Sequence, residues 1–217
     1  MNEPDVVQTI DGRAVAGRRR ETSQLRRLET LTDVVYGIAI WRVFILFPRP
    51  DEPTWNWHSW REFLAAEGMT AVLIAIGVAV LIIYWLQSNT LFSLVERADG
   101  KFAVRAIMQL FFVLLFLFAI RVGTELPASA WTRGFESVAA LLLGLSSTWM
   151  WSYAAKGRRL LHDDVTDDEA KAVHRRITAE PATAAFTLPF IFTPMFWELA
   201  WFTYPFVRKF FRRIARG

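Results

Sequence analysis

The apolar positions of this chain gather into long uncharged blocks. They do not show the short alternations of a soluble domain. Gly68 to Val95 contains no charged residue, and neither does Ser137 to Ala155. A shorter block runs from Ala106 to Ile120. A bilayer core is about 30 Å thick, and a helix needs about 20 apolar residues to cross it. No water is available there, so a crossing segment must satisfy its own backbone groups as a helix. The pattern predicts spans over residues 32–47, 69–89, 104–121 and 134–155, followed by an apolar segment over 176–208. Residues 1–25 read as a flexible polar arm ahead of a membrane domain over 26–217. The first thirty residues lack the apolar core of a signal peptide, so no cleavable leader is expected. Residues 51–63 place Trp55, Trp57 and Trp60 among charges, as in an interfacial segment at headgroup level. Residues 157–176 form a polar loop in which Thr166, followed by Glu169, predicts a capping box for a short helix.

Charge gives these spans a direction. With the N-terminus inside, twenty of the twenty-five Lys and Arg residues fall on the cytoplasmic side. Arg42, Arg49, Arg61, Arg121 and Arg133 are the exceptions. This is the bias that sets orientation in membrane proteins. It accounts for the net charge of +4 and the pI near 9.8 without any nucleic-acid partner. The same bias predicts a hairpin in the last apolar segment. A single span there would leave Arg208, Lys209, Arg212, Arg213 and Arg216 outside. Thr193-Pro194 supplies the turn, because a residue before proline avoids helical geometry. A fifth helix starting near His174 and a sixth after Pro194 give an all-α, six-helix bundle with both ends inside; five spans is the alternative.

Candidate chemistry adds little. There are no cysteines, so disulfides and thiolate sites are excluded. His162, Asp163, Asp164, Asp167 and Asp168 cluster without the spacing of a calcium loop, and read as a solvated, helix-capping group. No nucleophile elbow, phosphate loop or His-Glu-x-x-His helix occurs. No enzyme, metal or cofactor is expected.

Three short motifs stand in order. The first is Arg27-Leu28-Glu29-Thr30-Leu31-Thr32-Asp33, running into Val34-Val35-Tyr36-Gly37-Ile38-Ala39-Ile40. The second is Tyr84-Trp85-Leu86-Gln87-Ser88-Asn89-Thr90-Leu91-Phe92, and the third Gln109-Leu110-Phe111-Phe112. The chain thereby resembles the transmembrane protein 175 family, the lysosomal potassium channel and its bacterial relatives. The family's first helix opens Arg-x-x-x-Phe-Ser-Asp; Arg27 and Asp33 match, and Leu31 and Thr32 replace Phe and Ser. Its second helix ends Trp-Leu-x-His-His-Arg-Leu-Phe; Trp85, Leu91 and Phe92 agree, while Ser88 and Asn89 replace both histidines. Gln109 stands where the family has Asn.

The resemblance implies one six-helix unit per chain and a homotetramer in the cell membrane. The first helices would line a central pore for potassium ions. Ile38 takes the position of the family's apolar constriction, with Ile45 seven residues on, and Trp41 stands where the family has a threonine. Arg27, Thr32, Asp33, Asn89 and Gln109 are expected to share a polar network at the cytoplasmic ends of helices one to three. Its plain reading is a knot that fixes helix packing. Arg42 departs most from the family, because four guanidiniums near a pore axis would oppose a cation. Three readings stay open: Arg42 snorkels to the outer headgroups, pairs with Glu198 or Glu136, or occludes the pore. The leading expectation is a potassium or weakly selective cation channel. The alternative is a non-conducting relative acting as a membrane scaffold.

Overall fold

The computed structural model describes residues 3–45 and 57–213. Helices fill them: α1 (Glu3–Phe44), α2 (Trp60–Ser93), α3 (Gly100–Glu125), α4 (Ala130–Ala155), α5 (Asp167–Thr187), α6 (Pro194–Trp201) and α7 (Tyr204–Arg213). Two compact units result, Met1–Leu28 with Ser93–Gly217, and Glu29–Phe92. Among the described residues, Gly100–Gly123 and Ala130–Arg158 are long and apolar enough to cross a membrane, and Gly77–Ser93 is a shorter apolar stretch. The first two correspond to the spans expected over 104–121 and 134–155.

In the larger unit α3 packs along α4, α4 along α5, and α5 receives α6 and α7. Each start has a local cause. The Asp99 side chain accepts from the Phe102 amide at 2.8 Å and caps α3. Ser129 and Thr132 cap α4 reciprocally. Thr166 accepts from the Glu169 amide at 3.2 Å and caps α5. Such caps satisfy amides that the first helical turn leaves open. The α4–α5 crossing depends on two residues. Pro181 lies inside α5, where proline lacks an N–H and crowds the preceding turn. Gly144 of α4 faces it so closely that a Cβ there would sit 2.7 Å from the proline ring and its nitrogen.

Polar side chains within these apolar helices find partners inside the unit. Ser146 and Ser147 donate back to the Leu143 carbonyl, and Thr148 to that of Gly144. Trp197 and Thr187 both donate to the Ser137 hydroxyl, at 2.9 and 2.8 Å. The buried indole of Trp151 donates to the Ala170 carbonyl. Beyond α4, Gly157 and Arg158 take successive positive φ angles of 63° and 54°, a left-handed turn that costs a non-glycine residue. The Arg158 guanidinium offsets that cost by donating to the Asp163 carbonyl at 2.8 Å and lying 3.6 Å from Asp167. The redirected strand of loop pairs with the α2–α3 connection through an antiparallel bridge, Val95 to Leu161.

Three local expectations change. The arm is helical from Glu3 onward and continuous with the first span. After Pro4 it contains no proline, and Arg, Glu, Leu and Gln are good helix formers. The short loop helix and the fifth span are one helix, α5, which begins at Asp167 and not near His174. The last segment is broken twice. Thr193 is extended ahead of Pro194, as its position before proline requires. A second break at Phe202 and Thr203 precedes Pro205, which cannot donate to the Trp201 carbonyl. In the expected interfacial segment 51–63, residues 51–56 with Trp55 lie outside the described residues, as does Arg49.

Candidate functional site

The candidate site is the part of α1 that belongs to the smaller unit. Its sequence divides into two faces. Thr32, Tyr36, Ala39 and Val43 are buried, at the three- and four-residue steps of one helical stripe. Leu31, Val34, Ile38 and Trp41 form the other stripe and are exposed, Ile38 to 57% and Trp41 to 65%. Arg42 is exposed beside them, and Ile45 is half-buried at the end of the helix turn.

Within this unit α1 and α2 form an antiparallel hairpin. The Trp85 indole N–H donates to Asp33 Oδ1 at 2.8 Å. The hydroxyls of Tyr36 and Ser88 share a buried hydrogen bond at 3.5 Å. Further along, a Cβ on Gly77 would lie 3.6 Å from the Val43 side chain. These contacts set which residues of α1 turn outward.

The expected network residues lie as follows. Asp33 is held by Trp85. Thr32 is buried, Asn89 half-buried and Arg27 exposed. Gln109, in the larger unit and only 1% exposed, donates to the Ser147 hydroxyl at 3.2 Å. Trp85, Ser88, Tyr36 and Ser147 were not counted among the network residues. The signal for them was the polar atom each carries inside an apolar run, since such an atom requires a partner in lipid. Of the acids considered for Arg42, Glu198 is exposed and Glu136 half-buried, with its carboxylate beside Gly123.

A second polar cluster lies in the larger unit at the start of α3. Asp99 receives the Tyr153 hydroxyl and lies 3.9 Å from Arg159. Arg105 stacks over the rings of Trp149 and Tyr153, 4.4 and 4.0 Å from their centroids. Burial works to raise the Asp99 pKa, but Tyr153, the Phe102 amide, the Arg159 charge and the Lys101 amide together hold it below its ordinary 3.8. Nearby, Glu21 of α1 reaches Arg97 at 3.7 Å, and its carbonyl accepts from the Ala98 amide. This cluster ties loop to loop and contains no arrangement for catalysis.

Apolar helices of spanning length indicate an integral membrane protein. Residues 27–116 match the family profile described as endosomal/lysosomal potassium channel TMEM175. That stretch holds all three motifs, from Arg27 through Gln109. The fold is similar to the crystal structure of the potassium channel MtTMEM175, solved as a single-residue variant in complex with a nanobody–MBP fusion protein. The TM-score is 0.67 at 17% identity, covering 88% of this chain and 93% of that one. No curated protein matches the chain in sequence. The likeness to the TMEM175 family thus rests on residues 27–116 in sequence and on the fold over most of the chain.

Proposed function

We propose that this chain is one subunit of a homotetrameric channel for potassium, or for cations with weak selectivity, with a pore lined by the first helices. The observation that carries this reading is the exposed stripe of Leu31, Val34, Ile38 and Trp41 on the helix that bears the family motif. Such a stripe, opposite a fully buried one, needs a further environment. A symmetric assembly supplies it, because the same face from each copy can meet at one axis. An apolar ring at Ile38 would then close the path by narrowing or dewetting it. In this reading α1 to α5 and the broken α6–α7 segment make six crossings, and the basic bias holds both ends in the cytoplasm. The polar residues Arg27, Thr32, Asp33, Asn89 and Gln109 would fix packing at the inner end. Membrane lipid and the ion itself are the other partners.

A second reading has its own support. Trp41 and Arg42 are exposed close to Ile38, and a bulky ring with a permanent cation would bar a potassium ion. A non-conducting scaffold would keep the fold and lose the current.

Bilayer recording of the purified protein under potassium and sodium gradients tests both readings. Wild type and Arg42→Leu are compared, together with their thermal stability. Current that appears or rises in Arg42→Leu places the guanidinium in the ion path. A loss of roughly 3–5 kcal/mol of stability, the cost of breaking a buried ion pair, with no current, assigns Arg42 to Glu136 or Glu198. Intact tetramers without current in either protein would sink the channel reading and leave the scaffold.

A further inference from the structure

We propose that α7 is a binding surface for anionic phospholipid headgroups. The helix reads Tyr204-Pro205-Phe206-Val207-Arg208-Lys209-Phe210-Phe211-Arg212-Arg213. Counted from Phe206 at about 100° per residue, Phe206, Phe210, Val207 and Phe211 fill an arc of about 140°, and Arg208 and Lys209 lie at roughly 200° and 300°. The two chemistries do not mix. At the inner end of a crossing, such a helix can turn its apolar side to acyl chains while its long basic side chains reach the phosphates.

Packing leaves the relevant edge free. α7 lies on α5, with Val207 and Phe211 half-buried. Phe206 and Phe210, four residues apart, stay 73% and 61% exposed, and Lys209 is exposed beside them. Phe196, Leu199 and Phe202 upstream are exposed as well. So much exposed apolar surface favours acyl chains over a soluble acidic protein as the cover. A second copy is disfavoured because two such cationic arcs repel. α5 brings charge of both signs to this region, since Tyr204 feels Glu180 as well as Arg208 and Arg176. The cations of α7 stand beside its exposed phenylalanines, and the lipid that satisfies both carries a negative headgroup.

The inference rests on the membrane placement of the chain and not on conduction, so its test reads lipid, not current. Full-length protein is reconstituted in nanodiscs of equal phosphatidylglycerol and phosphatidylcholine. Lipids retained per subunit are then counted by native mass spectrometry. Wild type is expected to enrich phosphatidylglycerol. Each neutralised cation in Arg208→Gln and Lys209→Gln should lower that enrichment roughly fivefold, the factor for one basic residue near an anionic surface. Arg208→Lys should keep it. If the glutamine variants do not fold, the wild-type enrichment must still fall as salt is raised. Equal retention of the two lipids by wild type, or enrichment unchanged by both glutamine variants, would overturn the proposal. So would an apolar face that proves to be covered by a second copy or a soluble acidic protein.

Discussion

In the larger unit, apolar helices bring their polar atoms inward and pair them within the chain. Ser137 takes bonds from Thr187 and Trp197, Gln109 donates to Ser147, and Trp151 to Ala170. Gly144 lets α5 approach α4 closely enough to bury Pro181. The smaller unit is built otherwise. Its α1–α2 hairpin is joined at Asp33–Trp85 and at Tyr36–Ser88, and α1 leaves an apolar stripe exposed. The two regions differ in how they pair their polar side chains, while both turn apolar faces outward. Under the proposed channel function, the helices of the larger unit would form the frame, and α1 would be where assembly and ion passage are sought.

The most severe way to break this contrast is to open the frame at its tightest point. Gly144→Leu would drive a branched side chain into Pro181, where even a Cβ meets ring and backbone at 2.7 Å. Overpacking of this kind costs typically 1–3 kcal/mol and occasionally more, so a loss of about 3 kcal/mol is expected. Thermal unfolding in detergent reads it. Hydrogen exchange should show the loss in α4 and α5 first. An unchanged midpoint would mean that the two helices slide apart freely, and the larger unit would not be the rigid one.

The frame was also the more legible region. The uncharged blocks at 106–120 and 137–155 correspond to α3 and α4, because lipid leaves an apolar run no alternative to a helix. Thr166 is the cap its spacing predicted. What stayed hidden depended on residues far apart in the chain. α5 runs through Pro181 because Gly144, 37 positions earlier, makes room for it, and no local rule reports that. The break before Pro205 follows from the missing N–H of that proline, not from the restriction on the preceding residue that marks Thr193-Pro194, since Tyr204 is helical. At the site, the motif located Asp33 and Trp85 separately. Their bond depends on the register of α1 against α2, which periodicity does not specify. The placing of Ile38, Trp41 and Arg42 on one side of α1 was legible from spacing, whereas the exposure of that side required the structure.

A smaller intervention sharpens the contrast from the hairpin side. Trp85→Phe keeps the ring volume roughly in place and removes the N–H that reaches Asp33. A hydrogen bond to a charged group contributes about 1.5–3 kcal/mol, and the partial exposure of this pair argues for the lower end, about 1.5 kcal/mol. The loss should be confined to exchange protection in α1 and α2. If α3 to α5 lose protection equally, the two regions unfold as one and the comparison fails.

A still smaller effect separates the loops from the helices. Asp99→Ala deletes the α3 cap along with the Tyr153 and Arg159 contacts. A lost N-cap costs about 1 kcal/mol. The wild type should show the same dependence as acid sensitivity. The folded pKa of Asp99 lies below its ordinary 3.8, so its contribution is complete above the unfolded value and disappears as pH falls through the folded one. Stability of the wild type should therefore drop below about pH 4, while Asp99→Ala loses this part of the slope. Parallel pH profiles for the two proteins would remove Asp99 from the account of the loop.

The smallest expected change is a control on the idea that exposed charges matter little to this frame. Arg121 and Glu125 pair at 2.7 Å, four residues apart near the end of α3, with both side chains more than half exposed. Exposed pairs at this spacing contribute about 0.3–0.5 kcal/mol, and glutamine retains much of the geometry. Glu125→Gln should leave the midpoint within about 0.5 kcal/mol of wild type at ordinary salt. It should also erase what little salt dependence the pair supplies. Arg121 is also among the few basic residues that the proposed topology puts on the outer side. A large loss on neutralising Glu125 would mean that the pair is shielded from water when the protein is assembled. That end of α3 would then belong to a subunit interface, and the contrast between the two units would have to be redrawn to include it.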